Sequence, residues 1–304
     1  FLESTFDAFE TFLFVPNTTT QKGAHIRDCN DMKRTMIVVV VALLPALLFG
    51  MYNTGYQVGM TGWAAFWFGF LQVLPMIVVS YVVGLGIEFG FAQARGHEVN
   101  EGFLVTGLLI PMIMPVDIPL WMVALSTAFA VVFGKEVFGG YGSYPFNPAA
   151  VGYAVAAVSW PEQVFRYPTP YTSIPLWDAS GVATASTISD TLRSGGSLNI
   201  SAISLVLGEY AAPMGTGAAL ILLACGLFLW VQKDIKLSAA LSFLVTAGVI
   251  VFLFPRQLGL TEDASFAVSA MFRLRCVRDE LLTGAMIFSA VFLLNEPYTC
   301  AHHR

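Results

Sequence analysis

The stretch WDASGVATASTISD, Trp177 to Asp190, presents Ser180, Thr184, Ser186 and Thr187 among small residues, with an acid at each end. A serine hydrolase needs a general base and an elbow such as GxSxG. The stretch has neither and contains no His. Two readings stay open: a solvated loop, or covalent modification of a threonine hydroxyl. Gly181-Val182-Ala183 before Thr184 lets a modifying enzyme approach the backbone, and Asp178, six residues before Thr184, can position the site or its metal.

Three further places carry chemistry. Glu88 lies inside an apolar run, in VVGLGIEFGF. An ionisable group there is costly and is a functional hypothesis by default: cation binding or proton relay. The bland alternative is snorkelling, or a pair with Arg95. Gly84, Gly86 and Gly90 on the same run permit close approach by a helix or a flat ring. Glu296, in LLNEPYT, either ends a half-helix facing an ion pathway or marks the membrane edge. The stretch KEVFGGYGSYPFNP, with Gly139, Gly140 and Asn147, suits a ring held by backbone hydrogen bonds and stacking, or a tight interhelical turn. His97, Glu98 and Glu101 share a loop with no further ligand, so no metal site is expected. No catalytic residue is assigned. Cys29, Cys225, Cys276 and Cys300 are scattered without a CxxC. They read as isolated thiols, or as ligands that a partner would complete.

The elements that must position these residues are membrane helices. The chain has 304 residues, 56% hydrophobic and 12% charged, with mean hydropathy +0.71. A soluble domain carries about 25% charge. The expected fold is an all-α polytopic membrane protein. Apolar runs cover about 35–55, 63–92, 118–134, 149–160, 216–232, 237–254 and 281–294. FLVTGLLIPMIMP, at 103–115, is too short to cross a ~30 Å core. The divisions are a cytoplasmic segment 1–34, a first transmembrane repeat 35–160, an extracytoplasmic loop 161–215, and a second repeat 216–304. Lys22, Arg27, Lys33 and Arg34 place the N-terminus in the cytoplasm, with the loop at Arg95 and the turn at Lys233 and Lys236 on the same side. Arg273, Arg275 and Arg278 fall outside, against the rule. LVTGLLI at 104–110 returns as LLTGAMI at 281–287, four of seven positions being identical. Paired short, Gly/Pro-interrupted segments mark a transporter-like inverted-repeat bundle with broken or re-entrant helices; chance similarity of leucine-rich helices is the other reading. No basic tract suits nucleic acid. The chain opens without an initiator Met and stops at CAHHR, which reads as part of a longer protein.

HIRDCNDMKRTM, FGMYNTGYQ, GHEVNEGFLVTG and GKEVFGGYGSYPFNPAAVGY resemble the NqrB/RnfD family. Its members are membrane subunits of the Na+-translocating NADH:quinone oxidoreductase and of the Rnf ferredoxin:NAD oxidoreductase complex. APMGTGAALILLACGLFLW and GAMIFSAVFLLNEP look closer to the Rnf member. The resemblance runs from about residue 14. It implies a multi-pass subunit of a respiratory complex in the bacterial cytoplasmic membrane, working beside other subunits, moving Na+ or H+, with quinone as a further partner. It implies FMN joined through its phosphate to a threonine in a motif like D-G-x-S-x-A-T. Asp178, Ala183 and Thr184 match that motif; Ala179 and Gly181 depart from it, and Thr187 is the runner-up. It also implies noncovalent riboflavin, for which Gly139, Gly140, Asn147 and the broken helices are walls. Glu88 matches an intramembrane acid, Gly84 a quinone-pocket glycine, and Glu296-Pro297 an Asp-Pro. The alternative function is a channel or facilitator without a redox role.

Overall fold

The computed structural model describes residues 23, 32–95, 102–140, 142–172, 174–176, 182–186, 191, 194, 200–255, 266–283, 285–297 and 299. Their regular secondary structure is almost wholly helical. In chain order they form α1 (Met32–Gln57), α2 (Gly62–Arg95), α3 (Phe103–Ile113), α4 (Leu120–Gly134), α5 (Pro148–Ser159), α6 (Pro161–Val164), the strands β1 (Arg166–Pro168) and β2 (Thr184–Ser186), α7 (Ala202–Leu207), α8 (Ala219–Val231), α9 (Leu237–Leu253), α10 (Phe266–Leu282) and α11 (Met286–Phe288). A π-helical turn, Ser289–Leu293, continues α11. The protein is an all-α polytopic membrane protein. Among the described residues, three helical stretches, Thr35–Gln57, Gly62–Arg95 and Leu120–Phe138, are long and apolar enough to span.

The spans form where the apolar runs predict them. Their mutual packing depends on small residues. A Cβ on Gly55 would lie 1.9 Å from the Ala65 carbonyl oxygen, and one on Gly69 would lie 1.8 Å from that of Met51. Only glycine lets α1 and α2 cross this closely; within lipid, such backbone contact replaces hydrophobic driving force. α2 has 34 residues, or about 51 Å of helix, so it outreaches a ~30 Å core.

One segment departs from the sequence expectation. The run 281–294 is not a single helix: α10 ends at Leu282 and α11 starts at Met286. α10 itself is not expected from the sequence, because Arg273, Arg275 and Arg278 suppress its hydropathy. It forms as a partner of α9. The Arg273 Nη1 group donates to the carbonyls of Phe252 and Leu253, at 2.7 and 2.9 Å. These are C-terminal carbonyls of α9 without intrahelical partners.

The two short helices satisfy their C-terminal carbonyls in two ways. The last carbonyls of a helix have no intrahelical partner and must be bonded elsewhere. At the end of α3, Met112 O accepts from the Gly215 N–H at 2.9 Å. After α11, Ala290 O accepts from Asn295 Nδ2 at 2.7 Å and Leu293 O from Asn147 Nδ2 at 3.1 Å. The π-turn closes with Leu294 N–H on Ser289 O at 2.8 Å.

Long-range bonds fix which ends lie together. The Tyr171 N–H donates to Gln57 O. Gln57 Nε2 reaches Gly208 O and Tyr210 O, and Asn53 Nδ2 reaches Gly208 O at 2.9 Å. The end of α1, the end of α3 and residues Tyr171, Gly208, Tyr210 and Gly215 therefore share one face of the bundle. Arg95 and Glu136 share the opposite face, so α2 and α4 run in the same direction between the two.

Candidate functional site

Glu88 lies on the buried face of α2, which follows Ala65, Gly69, Met76, Ser80 and Gly84 down the helix. Lys135 follows the last residue of α4. Its ammonium donates to Glu88 Oε1. Both side chains are buried, with 5% exposure for Lys135 and 3% for Glu88. Lys135 Nζ is also 3.9 Å from Glu136 Oε1. Arg95 Nη1 contacts Glu136 Oε2 at 3.3 Å, and its Nη2 donates to Glu136 O at 2.9 Å. The Arg95 guanidinium lies 5.2 Å from the centre of the Phe91 ring. The pair considered between Glu88 and Arg95 is thus not formed: Glu88 takes Lys135, and Arg95 turns to Glu136.

Glu296 joins this cluster from the second half of the chain. Its Oε1 accepts from Tyr144 at 2.7 Å and its Oε2 from Thr299 at 3.1 Å. Glu296 is thus held against the turn that follows Lys135, while Glu88 and Glu136 share the two cations Lys135 and Arg95. Glu88 Oε2 is buried and has no hydrogen-bond partner among the described residues. The hydroxyls of Ser80 and Thr127 are buried in the same state. Each lies eight residues before its charged neighbour, Glu88 or Lys135, which is about 12 Å along the helix. Sequence reading misses Lys135. Its one signal is a lone lysine ending an apolar run.

The glycines of α2 divide. At Gly84 an added Cβ would fall 1.9 Å from the Phe103 ring, so that ring fills the space a pocket would need. Tyr81 packs edge-on to Phe103 at 6.0 Å, and its hydroxyl donates to Leu104 O at 2.6 Å. Gly86 and Gly90 meet nothing within 4 Å. In the glycine-rich turn, Gly139 and Gly140 take φ of 110° and 89°, a region that disfavours side chains. Around Gly140 the space is open. Asn147 is engaged on both sides: its Oδ1 caps α5 through the Ala149 N–H at 2.9 Å, and its Nδ2 holds Leu293 O.

Thr184 lies far from this cluster, in a short antiparallel ladder on the other face. Its pairs are Arg166 with Ser186, Tyr167 with Ala185, and Pro168 with Thr184. Tyr167 is buried, whereas Arg166, Ala183 and Thr184 are exposed. Ala183 O accepts from Thr169 N at 2.9 Å and from Thr169 Oγ1 at 2.7 Å. The backbone beside Thr184 is thereby pinned while its hydroxyl is presented. Asp178, Gly181 and Thr187, with His97, Glu98, Glu101, Cys29 and Cys300, lie outside the described residues. No cluster of metal-ligating side chains occurs among the described residues.

A further acid sits beneath the ladder, between α3 and α4. Burial pushes the Asp117 carboxyl up to about 6. Its Oδ1 has no partner among the described residues. Tyr167 is held well above the usual tyrosine value by burial, by Tyr153 and by Asp117.

The sequence model of the NQR2, RnfD, RnfE family matches residues 19–304. Relatives in three bacteria carry names that make each a subunit of the Na(+)-translocating NADH-quinone reductase. The protein of Ectopseudomonas mendocina is 33% identical, over 97% of this chain and 78% of its own length. That of Azotobacter vinelandii is 31% identical over the same shares. That of Pseudomonas aeruginosa is 32% identical, again over 97% and 78%.

Proposed function

The chain belongs to the NQR2, RnfD, RnfE family, and from that premise we propose that it is a membrane subunit of a redox-driven Na+ pump of the NADH:quinone oxidoreductase type. The observation that carries this is the buried pair of Glu88 and Lys135, with Glu136 3.9 Å from the same ammonium. Ionisable groups buried inside a membrane helix bundle are a functional hypothesis by default. Glu88 and Glu296 lie on the cation path, with entry from the cytoplasmic side. The N-terminus lies in the cytoplasm, and the Thr184 ladder lies outside.

The proposal puts FMN on the Thr184 hydroxyl as a phosphoester. The hydroxyl is exposed, its backbone is pinned, and the Arg166 cation on the same short ladder suits a phosphate. Flavin supplies the electron-transfer chemistry when bound; the protein supplies placement and charge. Riboflavin belongs to the same proposal, against the open turn at Gly139 and Gly140. Asn147 shapes that turn by holding two helix ends. Quinone approaching Gly84 has to displace the Phe103 ring. The other subunits of the complex supply the electron donor and acceptor.

Two readouts test this. The complex purified with this chain should turn over faster as Na+ rises. In a denaturing gel the chain should fluoresce as a flavoprotein, and Thr184→Ala should abolish the band. A colourless chain would favour a channel or facilitator instead. Fluorescence surviving Thr184→Ala would move the tether elsewhere.

A further inference from the structure

With Glu88 as a cation ligand, Lys135 is the group that stands in the way. Its ammonium already occupies one oxygen of Glu88. The other oxygen, Oε2, is buried, with the residue 3% exposed, and has no partner among the described residues. Around it, two carboxylates, Glu88 and Glu136, share two cations, Lys135 and Arg95, so the ammonium has a second carboxylate within reach.

We propose that Lys135 is the tethered counter-ion of the cation site: its ammonium holds Glu88 while the transported cation is absent, and leaves that carboxylate when the cation binds. This rests on the ion-path reading. The physical argument is charge conservation in a dry place. Removing a cation from a buried carboxylate leaves an uncompensated charge, which is strongly unfavourable. Exchanging one monovalent cation for another does not. A lysine suits the exchange because its ammonium is a compact point charge on a flexible four-carbon stem, whereas a guanidinium locks into a fork. The neighbours are arranged for the transfer. Glu136, 3.9 Å from the ammonium, is an alternative acceptor when Glu88 is taken. Arg95 holds Glu136 in position from its other side. Lys135 is thus a specificity-determining competitor, tuning how much Na+ the site needs.

The test uses the intact complex, titrating NADH-driven turnover with Na+. Lys135→Met removes the competitor but keeps the stem. It should lower the half-saturating Na+ concentration about fivefold or more, the low end of coupling between linked sites. A curve that overlies the wild type, or needs more Na+, overturns the proposal. Should Lys135→Met fail to assemble, Lys135→Arg decides: a fixed fork at Glu88 should raise the half-saturating concentration about fivefold or more, and an unchanged value overturns the inference. Binding of radioactive Na+ to the resting complex provides a second readout, expected to tighten in Lys135→Met. A wild-type complex whose turnover ignores Na+ would instead sink the ion-path reading itself.

Discussion

The Lys135 ammonium donates to Glu88 Oε1 across 47 positions of sequence, tying the far end of α2 to the residue that follows α4. Arg95, only seven positions from Glu88, is turned to Glu136 instead. This ordering separates two arginine- and lysine-to-carboxylate contacts that sequence proximity would merge.

Burial ranks the two pairs. Lys135→Ala leaves Glu88 buried and uncompensated, and should cost about 3–5 kcal/mol. Arg95→Ala removes a partner that is 37% exposed and should cost roughly 1 kcal/mol. Thermal unfolding midpoints of the two variants in detergent rank them. Equal losses, or a larger loss for Arg95→Ala, contradict the ordering.

Two glycines of one helix should respond in opposite ways. Gly69→Ala drives a methyl into the Met51 carbonyl, and backbone cannot rotate away; the loss should reach about 3 kcal/mol, the upper end for overpacking. Gly86→Ala meets nothing within 4 Å and gains helix propensity, so it should be neutral or stabilising by up to about 1 kcal/mol. The yield of folded protein after mild heating separates them. Parallel behaviour would mean that α1 and α2 do not cross where described.

Asp117 sets a pH dependence. Its carboxyl rises from an ordinary value of 3.8 to about 6 because burial opposes its charge. The folded state therefore binds the proton more tightly than the unfolded one. The stability this contributes is complete below pH 3.8 and is lost as pH climbs through about 6. Asp117→Asn should flatten the fall over that window and be more stable than the wild type at neutral pH, by about 3 kcal/mol or less. Identical pH profiles for the two proteins would show that Asp117 ionises without strain.

Much of the architecture is legible in the sequence. Runs such as TMIVVVVALLPALLFG have only one physical solution in lipid, and the limits of α1, α2 and α4 follow from them. α10 is not legible, because its arginines are satisfied by α9, a contact that no hydropathy window contains. The site divides likewise. Glu88 and Glu296 stand out as acids in apolar surroundings. Lys135 does not, since its importance lies in which carboxylates reach it from distant helices. Asn147 reads as part of a ring-binding turn from its glycine-rich setting; that its amide also joins α5 to Leu293 is not visible there. Asp117 escapes notice because a short Pro-flanked connection gives no sign of being buried.

Glu88 as a ligand of the transported cation is the central claim. The most direct measurement is steady-state turnover against Na+ concentration for the wild-type complex and for Glu88→Gln, with covalent flavin monitored by in-gel fluorescence. Flavin should be retained in the variant, because Thr184 lies on the opposite face of the bundle. The variant should need about tenfold more Na+ or more for half-maximal rate, equivalent to about 1.4 kcal/mol of lost binding, or lose its Na+ response altogether. Superimposable Na+ curves, with flavin content intact, would remove Glu88 from the cation path and contradict the claim.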